Sequence, residues 1–460
     1  MFRQRTTIFN PLSTHDNVVQ KADQAEFAVQ PAENSFFLVE NKYTVSQSLA
    51  FLKFDLVKQL RIQSSDNLFP EDRVFNYRLS EGVNVYVTPQ HVKTDEDKQE
   101  FFGQVRSLLN KLLDIEVNKE NWTKSVNALH FHSAERPRLD VSILNLEKSS
   151  ELKDSINFDL SYNSGSGVVF KQLYSVDSPL SIRKQNGLYK EIGLFLVDEQ
   201  ISSKDDVVLS GLRVVFGDDQ EEENVFKTLF HTKPRHRYID TGIDSHIEEN
   251  GLHPLLHTSF AQEVTPPEDL DVQECNLYYY VSLNKSLIFD EFQSIPNGAK
   301  LVVNQGSRDL ELPEYKVGEW GNEVLFEFAN FSAPSIDFPL HSRYQKPSNE
   351  TDSTEIYNSL PLIFYGCSVR DDYLLDKSPF DTKQTIGGNY ELYFTNDTVF
   401  YHFTHNSGSL VVVNVPHGTS DFDSVNTITT IAVVIGSAII LFSLLKASFR
   451  SSTLSEKKKQ

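Results

Sequence analysis

The chain has 460 residues, 39% of them hydrophobic and 23% charged, with a formal net charge of −21. That length allows two domains, and the apolar fraction excludes a chain too polar to fold. So acidic a balance argues against nucleic acid and against docking on an anionic membrane surface.

Residues 1–35 are polar and without periodicity, which predicts a loose lead-in, and residues 1–32 hold no apolar run of signal-peptide length. Residues 35–39 read as a strand. Residues 45–62 fit helix and strand alike, with Leu49, Leu52, Leu56, Val57 and Leu60 as apolar positions. Residues 83–87, stopped by Pro89, form a clearer strand. Phe101, Phe102, Val105, Leu108, Leu109, Leu112 and Leu113 recur with a 3.6-residue period. Residues 96–113 should therefore be an amphipathic helix packed on its own sheet. Short apolar runs follow at 128–131, 139–144, 168–173, 188–197 and 207–216. Residues 1–245 thus predict an α+β domain rich in antiparallel strands. The acidic run at 217–223 reads as a solvated loop, and the polar stretch at 244–251 marks the domain boundary.

From Leu252 the pattern is nearly all strand, at 277–281, 300–303, 323–328, 360–365, 390–394, 399–403 and 410–415. It predicts a β-sandwich-like domain over residues 246–424, so the body as a whole is mainly β. Cys275 and Cys367 are the two cysteines. In an oxidising compartment they could form one disulfide; two separate buried thiols are the alternative.

Residues 428–445 are 18 residues without a charge. As a helix they would extend about 27 Å, the thickness of a bilayer's hydrocarbon core. This predicts one transmembrane helix over 425–446. Five bases and one acid lie from Lys446 onward, so the preceding residues carry −25. Basic flanks stay cytosolic, which places the tail at 447–460 in the cytosol and the body in a lumen. A tail-anchored arrangement with a cytosolic body is the alternative. Lys457 and Lys458 sit at the fourth and third positions from the end, as in a dilysine retrieval signal of the endoplasmic reticulum (ER). Within the span, Thr429, Ala432, Gly436 and Ser443 fall on one side, where small residues let a partner helix approach closely.

Five glycosylation sequons occur, at Asn121, Asn284, Asn330, Asn349 and Asn396. His253 and His257 have the spacing of metal ligands on a helix, but Pro254 interrupts it. His130 and His132 alternate on a strand and should share a face. Asp269 with Asp271, and Asp421 with Asp423, match an Asp-x-Asp pattern that chance alone would supply about twice. No nucleophile elbow, phosphate loop or dinucleotide fingerprint is present. The residues point to no catalytic constellation, cofactor or metal.

Several strings in the second half occur in the order of one family. They are Leu252-His-Pro-Leu-Leu-His257, Cys275-Asn-Leu277, Ile288-Phe-Asp-Glu-Phe292 and Asp309-Leu-Glu-Leu-Pro-Glu-Tyr315. Phe338-Pro-Leu-His-Ser-Arg-Tyr-Gln-Lys-Pro347, Ser359-Leu-Pro-Leu-Ile-Phe-Tyr-Gly-Cys367 and Val415-Pro-His-Gly418 complete the series. Residues 250–450 resemble the PIG-X family, and the long N-terminal half resembles its fungal branch. The resemblance implies a non-catalytic ER subunit in glycosylphosphatidylinositol (GPI) anchor synthesis. The subunit would stabilise the multi-span mannosyltransferase that adds the first mannose. Ser342 stands where animal members carry a cysteine, so their disulfide pattern does not transfer. His341, Arg343, Tyr344 and Pro347 become motif residues that either meet a partner's lumenal loop or close their own sandwich, the structural role being favoured. Residues 339–344 should form a strand or strand edge with His341 and Arg343 on one face and Leu340 on the other. A lumenal chaperone for diverse glycoproteins is the alternative function, motivated by the large N-terminal half. An enzyme using Asp269 and Asp271 is a third.

Overall fold

A computed structural model describes residues 2–10, 18–45, 55–65, 75, 82–117, 122–124, 128–133, 139–140, 157–197, 207–217, 224–268, 272–317, 321–370, 389–406 and 410–456. Asn121, Asp269, Asp271, Lys457, Lys458, most of the 139–144 run and most of the acidic 217–223 loop lie outside them.

The first half is built on an 11-stranded sheet, antiparallel except where Phe2–Asn10 runs parallel to Tyr189–Val197. Phe2–Asn10 is a central strand, not a loose lead-in. Its buried polar residues mask its apolar alternation, and one of them, Thr6, is satisfied by a neighbouring strand where its Oγ1 donates to Asn41 Oδ1 at 2.7 Å. Val57–Ser65 is also a strand, which settles the ambiguity over the part of 45–62 that is described.

Helix α1, Asp95–Leu113, covers one face of this sheet. A capping box starts it, with Asp97 N donating to Thr94 Oγ1 and Thr94 N to Asp97 Oδ2. Asp114, in left-handed conformation at φ 54°, ends it. Its buried stripe, from Phe101 to Leu113, packs on Leu60, Ile62, Val83, Val85 and Phe131. A small three-stranded sheet covers the other end of the same face through Phe27, Val29 and Ile182.

The second half is an eight-stranded sheet. Its strand His236–Glu248 runs across the 245/246 boundary expected from composition. There Asp244, His246 and Glu248 point to solvent while Ile243 and Ile247 pack inward, so the polar stretch is one side of a strand. The pair Ser353–Ser359 and Leu410–Pro416 forms a second layer over one face, closing a sandwich-like core around Tyr279, Phe326 and Phe338. Cys275 and Cys367 are direct partners on adjacent antiparallel strands and are joined as a disulfide.

On the other face of this sheet lies an aromatic cluster of Tyr280, Phe364, Tyr390 and Phe400. Residues 390–394, expected as a strand, include a short 3-10 helix, Asn389–Tyr393. Adjacent Tyr390 and Glu391 both turn inward, which an alternating strand cannot do. This aromatic face meets the first sheet, and Asn84, His130 and His132 line a small recess with Tyr280, Ser282 and Leu362.

Helix α2, Phe422–Glu456, follows the last strand after five residues. The most apolar 18-residue window of its stretch Phe422–Ala447 has a mean hydropathy of 2.5, and none of that window is covered by the body. Thr427, Thr429 and Thr430 each donate their hydroxyl to the carbonyl four residues back, satisfying those groups without water. A helix of this length and composition fits a single-pass membrane protein.

Candidate functional site

The string at 338–347 ends at the entrance to α2. Ser335–Pro339 is an edge strand of the second sheet, and His341–Ser342 pairs with Leu287–Ile288. Arg343 does not share a polar edge with His341. Its side chain is turned inward and only 2% of the residue is exposed. The guanidinium donates to the carbonyls of Asp309 and Leu312 and to Ser307 Oγ, while Arg343 N donates to Ser286 O. The turn at 307–312 presents its carbonyls inward and needs a multi-pronged donor there; arginine's planar fork supplies one.

His341 stays at the surface with its Nδ1 2.9 Å from Nδ1 of His253. Partial burial and the neighbouring His253 both lower its pKa. Tyr344 is 67% exposed, and Pro347 is exposed as well. Tyr344 O accepts from Glu314 N, which draws the 309–315 segment alongside and leaves Leu310 and Tyr315 facing solvent. Phe292, in the loop after Leu287–Ile288, is 87% exposed. Exposed large apolar side chains grouped in this way mark contact surfaces.

A strap connects this surface to the membrane helix. Ser348 N donates to Gly418 O, His417 N to Asp352 O, and Ser420 N to Asn349 Oδ1 at 2.9 Å. Thr351 Oγ1 lies 3.1 Å from His417 Nε2. Asp421 then accepts from Ser424 N and Ser424 Oγ at the start of α2, so one member of the second Asp-x-Asp pair serves as a helix cap. Thr429, Ala432, Gly436 and Ser443 follow in α2, none covered by the body, and a Cβ on Gly436 would meet nothing within 4 Å. Asn349 forms part of the strap through its Oδ1, an atom that glycosylation at Nδ2 leaves free. Asn330 and Asn396 are exposed, and Asn284 is half-buried with Nδ2 on the carbonyl of Tyr357.

The histidines flagged by spacing separate. His253 pairs with His341, whereas His257 lies in the strand Leu255–Phe260 with Nδ1 2.6 Å from Asp337. His130 and His132 do share a face, both on Asn84 Oδ1. Burial pushes His130 down to about 3 and His132 to about 4, with the His132 charge contributing to the shift at His130. Among the described residues no three His, Cys, Asp or Glu side chains come together as a metal site.

Sequence reasoning missed the polar groups between the two sheets. Arg61 and Asp159 form a buried ion pair at 2.7 Å, and Tyr86 stacks on His130. On the opposing side, His236 Nε2 is 3.0 Å from Glu391 and its Nδ1 is 3.1 Å from His402 Nε2. Burial opposes the charge on Glu391, but His236, Arg61 and Arg235 outweigh it and hold the carboxyl below its ordinary value. The available signal was Arg61, Gln63 and Ser65 alternating with Leu60 and Ile62. In a single sequence that pattern reads as a solvent face.

The family model described as PIG-X / PBN1 matches residues 249–445. Over 99% of its length the chain is similar to Protein PBN1 of Candida albicans, with 42% identity and 100% of that protein covered. Protein PBN1 of Debaryomyces hansenii is 37% identical, with 98% of each chain covered. Protein PBN1 of Saccharomyces cerevisiae is 30% identical over 55% of this chain and 57% of its own.

Proposed function

The chain belongs to the PIG-X / PBN1 family, and from that membership we propose a non-catalytic subunit of GPI-anchor biosynthesis in the ER membrane. Family membership supports a role in GPI-anchor biosynthesis. The finer reading is that the body is lumenal and stabilises the multi-span mannosyltransferase that adds the first mannose.

One structural observation favours this reading over a free-standing lumenal chaperone. The strap between 348–352 and 417–420 holds the exposed Tyr344 and Pro347 in a fixed relation to α2. A surface tied in this way suits a partner that offers lumenal loops and membrane helices together. Such a partner gains from two linked contacts at little added ordering cost.

One experiment on an affinity-tagged chain tests the proposal. Endoglycosidase H should increase its gel mobility, and a single multi-span protein should co-purify in near-equal amount. Depleting the chain should lower that partner's abundance and block the first mannosylation. Unchanged mobility, normal partner levels, or recovery of many unrelated glycoproteins without a stoichiometric partner would count against it.

A further inference from the structure

The face of the first sheet opposite α1 carries a row of cations that the proposed subunit role does not use. Arg5 on Phe2–Asn10 stands opposite Lys42 on Phe37–Val45, and Lys42 stands opposite Lys171 on Gly167–Val176. Neighbouring strands lie about 4.8 Å apart, so three cationic positions fall within about 10 Å on one side of the sheet. Like charges directly opposed across strands are destabilising and call for a compensating group. Among the described residues carboxylates stand at both ends, Glu191 beside Arg5 and Asp159 opposite Lys171. Glu191 accepts from Arg5 at 3.3 Å and from Arg213 at 2.7 Å. Asp159 makes its 2.7 Å ion pair with Arg61, and against the pull of burial Lys171 adds to the charge that holds this carboxyl below its ordinary pKa. Lys42 and Lys171 have no ion pair among the described residues, and both are half-buried. Burial, Lys171 and Arg5 all push the Lys42 ammonium below its ordinary pKa, with Glu40 opposing them.

Beside the row lies a recess with an empty volume of about 460 Å³, its open side included. Phe195, Phe230, Arg5 and Arg213 line it, together with Glu191, whose carboxylate both arginines hold. Its openness depends on Gly193, where a Cβ would come within 2.6 Å of the Phe195 ring.

We propose that this face binds a phosphate ester, its phosphate held by Arg5, Lys42 and Lys171 and its organic part resting on Phe195 and Phe230. A phosphate group concentrates nearly two charges and three acceptor oxygens in one place, which matches closely spaced donors. An extended acidic peptide fits less well. Its same-side carboxylates repeat at about 6.7 Å, wider than the spacing of adjacent strands that sets the cations apart. A lipid phosphate headgroup and a soluble phosphate ester share this chemistry.

The test uses the full-length protein in detergent micelles, with 1-naphthyl phosphate as a fluorescent probe. Binding should saturate, weaken as salt is raised, and fall at least about tenfold in the double variant Lys42→Gln, Lys171→Gln. With the like-charge contact relieved, the ligand-free variant should unfold at the same temperature as the parent or higher. Competition by vesicles containing phosphatidylinositol 4-phosphate supports the site and assigns it to a headgroup; competition by glucose 6-phosphate supports it and assigns it to a soluble ester. The proposal fails if binding does not saturate or if the variant binds as well as the parent. It also fails if neither competitor displaces the probe, or if poly-glutamate displaces it better than both. A lower unfolding temperature for the free variant would make the lysines structural and overturn it as well.

Discussion

The two halves of the body spend their buried polar side chains in opposite ways. In the second half, Arg343 closes on the carbonyls of Asp309 and Leu312 and on Ser307, all within its own domain. In the first half, Asn84, Tyr86, His130 and His132 stand on the side of the sheet turned toward Tyr280 and Leu362 of the other half. The first arrangement is complete in itself. The second is complete only while the two sheets are stacked, since separation would return its polar groups to water. Local rigidity near the membrane is therefore built into the second half, whereas the seating of the first half on it depends on keeping the seam's charges paired and His130 and His132 neutral.

Acid is the largest lever on that difference. His130 and His132 are neutral in the fold, with pKa values near 3 and 4 against an ordinary 6.5. Because these values are depressed, the unfolded chain takes up protons that the fold refuses. Stability is thus full above pH 6.5 and falls through the window down to pH 3–4. Each histidine removes about 1.4 kcal/mol per pH unit, so the two together remove about 4 kcal/mol between pH 7.5 and 5. Chemical denaturation of the body across that range measures the loss. His130→Phe with His132→Leu should flatten the profile above pH 5, and an unchanged slope would mean that the seam admits water.

Arg343 comes next. Replacing it with Met keeps the bulk but leaves the carbonyls of Asp309 and Leu312 without their charged donor. Unsatisfied buried groups cost about 1–3 kcal/mol each, so Arg343→Met should lower stability by about 2–4 kcal/mol. Tyr344→Ala, one residue away but exposed, should change it by less than about 0.5 kcal/mol. Both are read from denaturation midpoints. Equal effects at 343 and 344 would put the arginine on the surface and remove the contrast between the halves.

These two regions also show what one sequence can disclose. Helix α1 was legible because its seven apolar residues follow a single period and nothing competes with it. Six of the seven runs expected as strands in the second half were legible from their aromatic and β-branched residues, the exception being 390–394. Phe2–Asn10 was not, because a central strand can bury Gln4, Thr6 and Asn10, with Thr6 satisfied by Asn41 of the neighbouring strand. The motif at 338–347 was visible as a string, but its spacing placed Arg343 beside His341. The inward turn depends on carbonyls some 30 residues earlier in the chain, which no local pattern encodes. The stacked sheets were invisible for the same reason. A polar strand face looks alike whether it meets water or another domain.

The smallest effect on the isolated protein is expected in the membrane helix, and that makes the helix the cleanest probe of partnership. Gly436→Ile adds a side chain where nothing of this chain lies within 4 Å, so neither the fold nor α2 should be strained by it. Helix propensity changes by only a few tenths of a kcal/mol, and in the favourable direction. Body stability and the acid profile should be those of the parent. A branched side chain there would still block close approach by a neighbouring helix on the side that carries Thr429, Ala432 and Ser443. Co-purification of the proposed multi-span partner should therefore drop several-fold while the denaturation curve stays in place. If recovery of the partner is unchanged, α2 acts as an anchor alone, and the contact must be carried by the exposed residues around Tyr344 and Phe292.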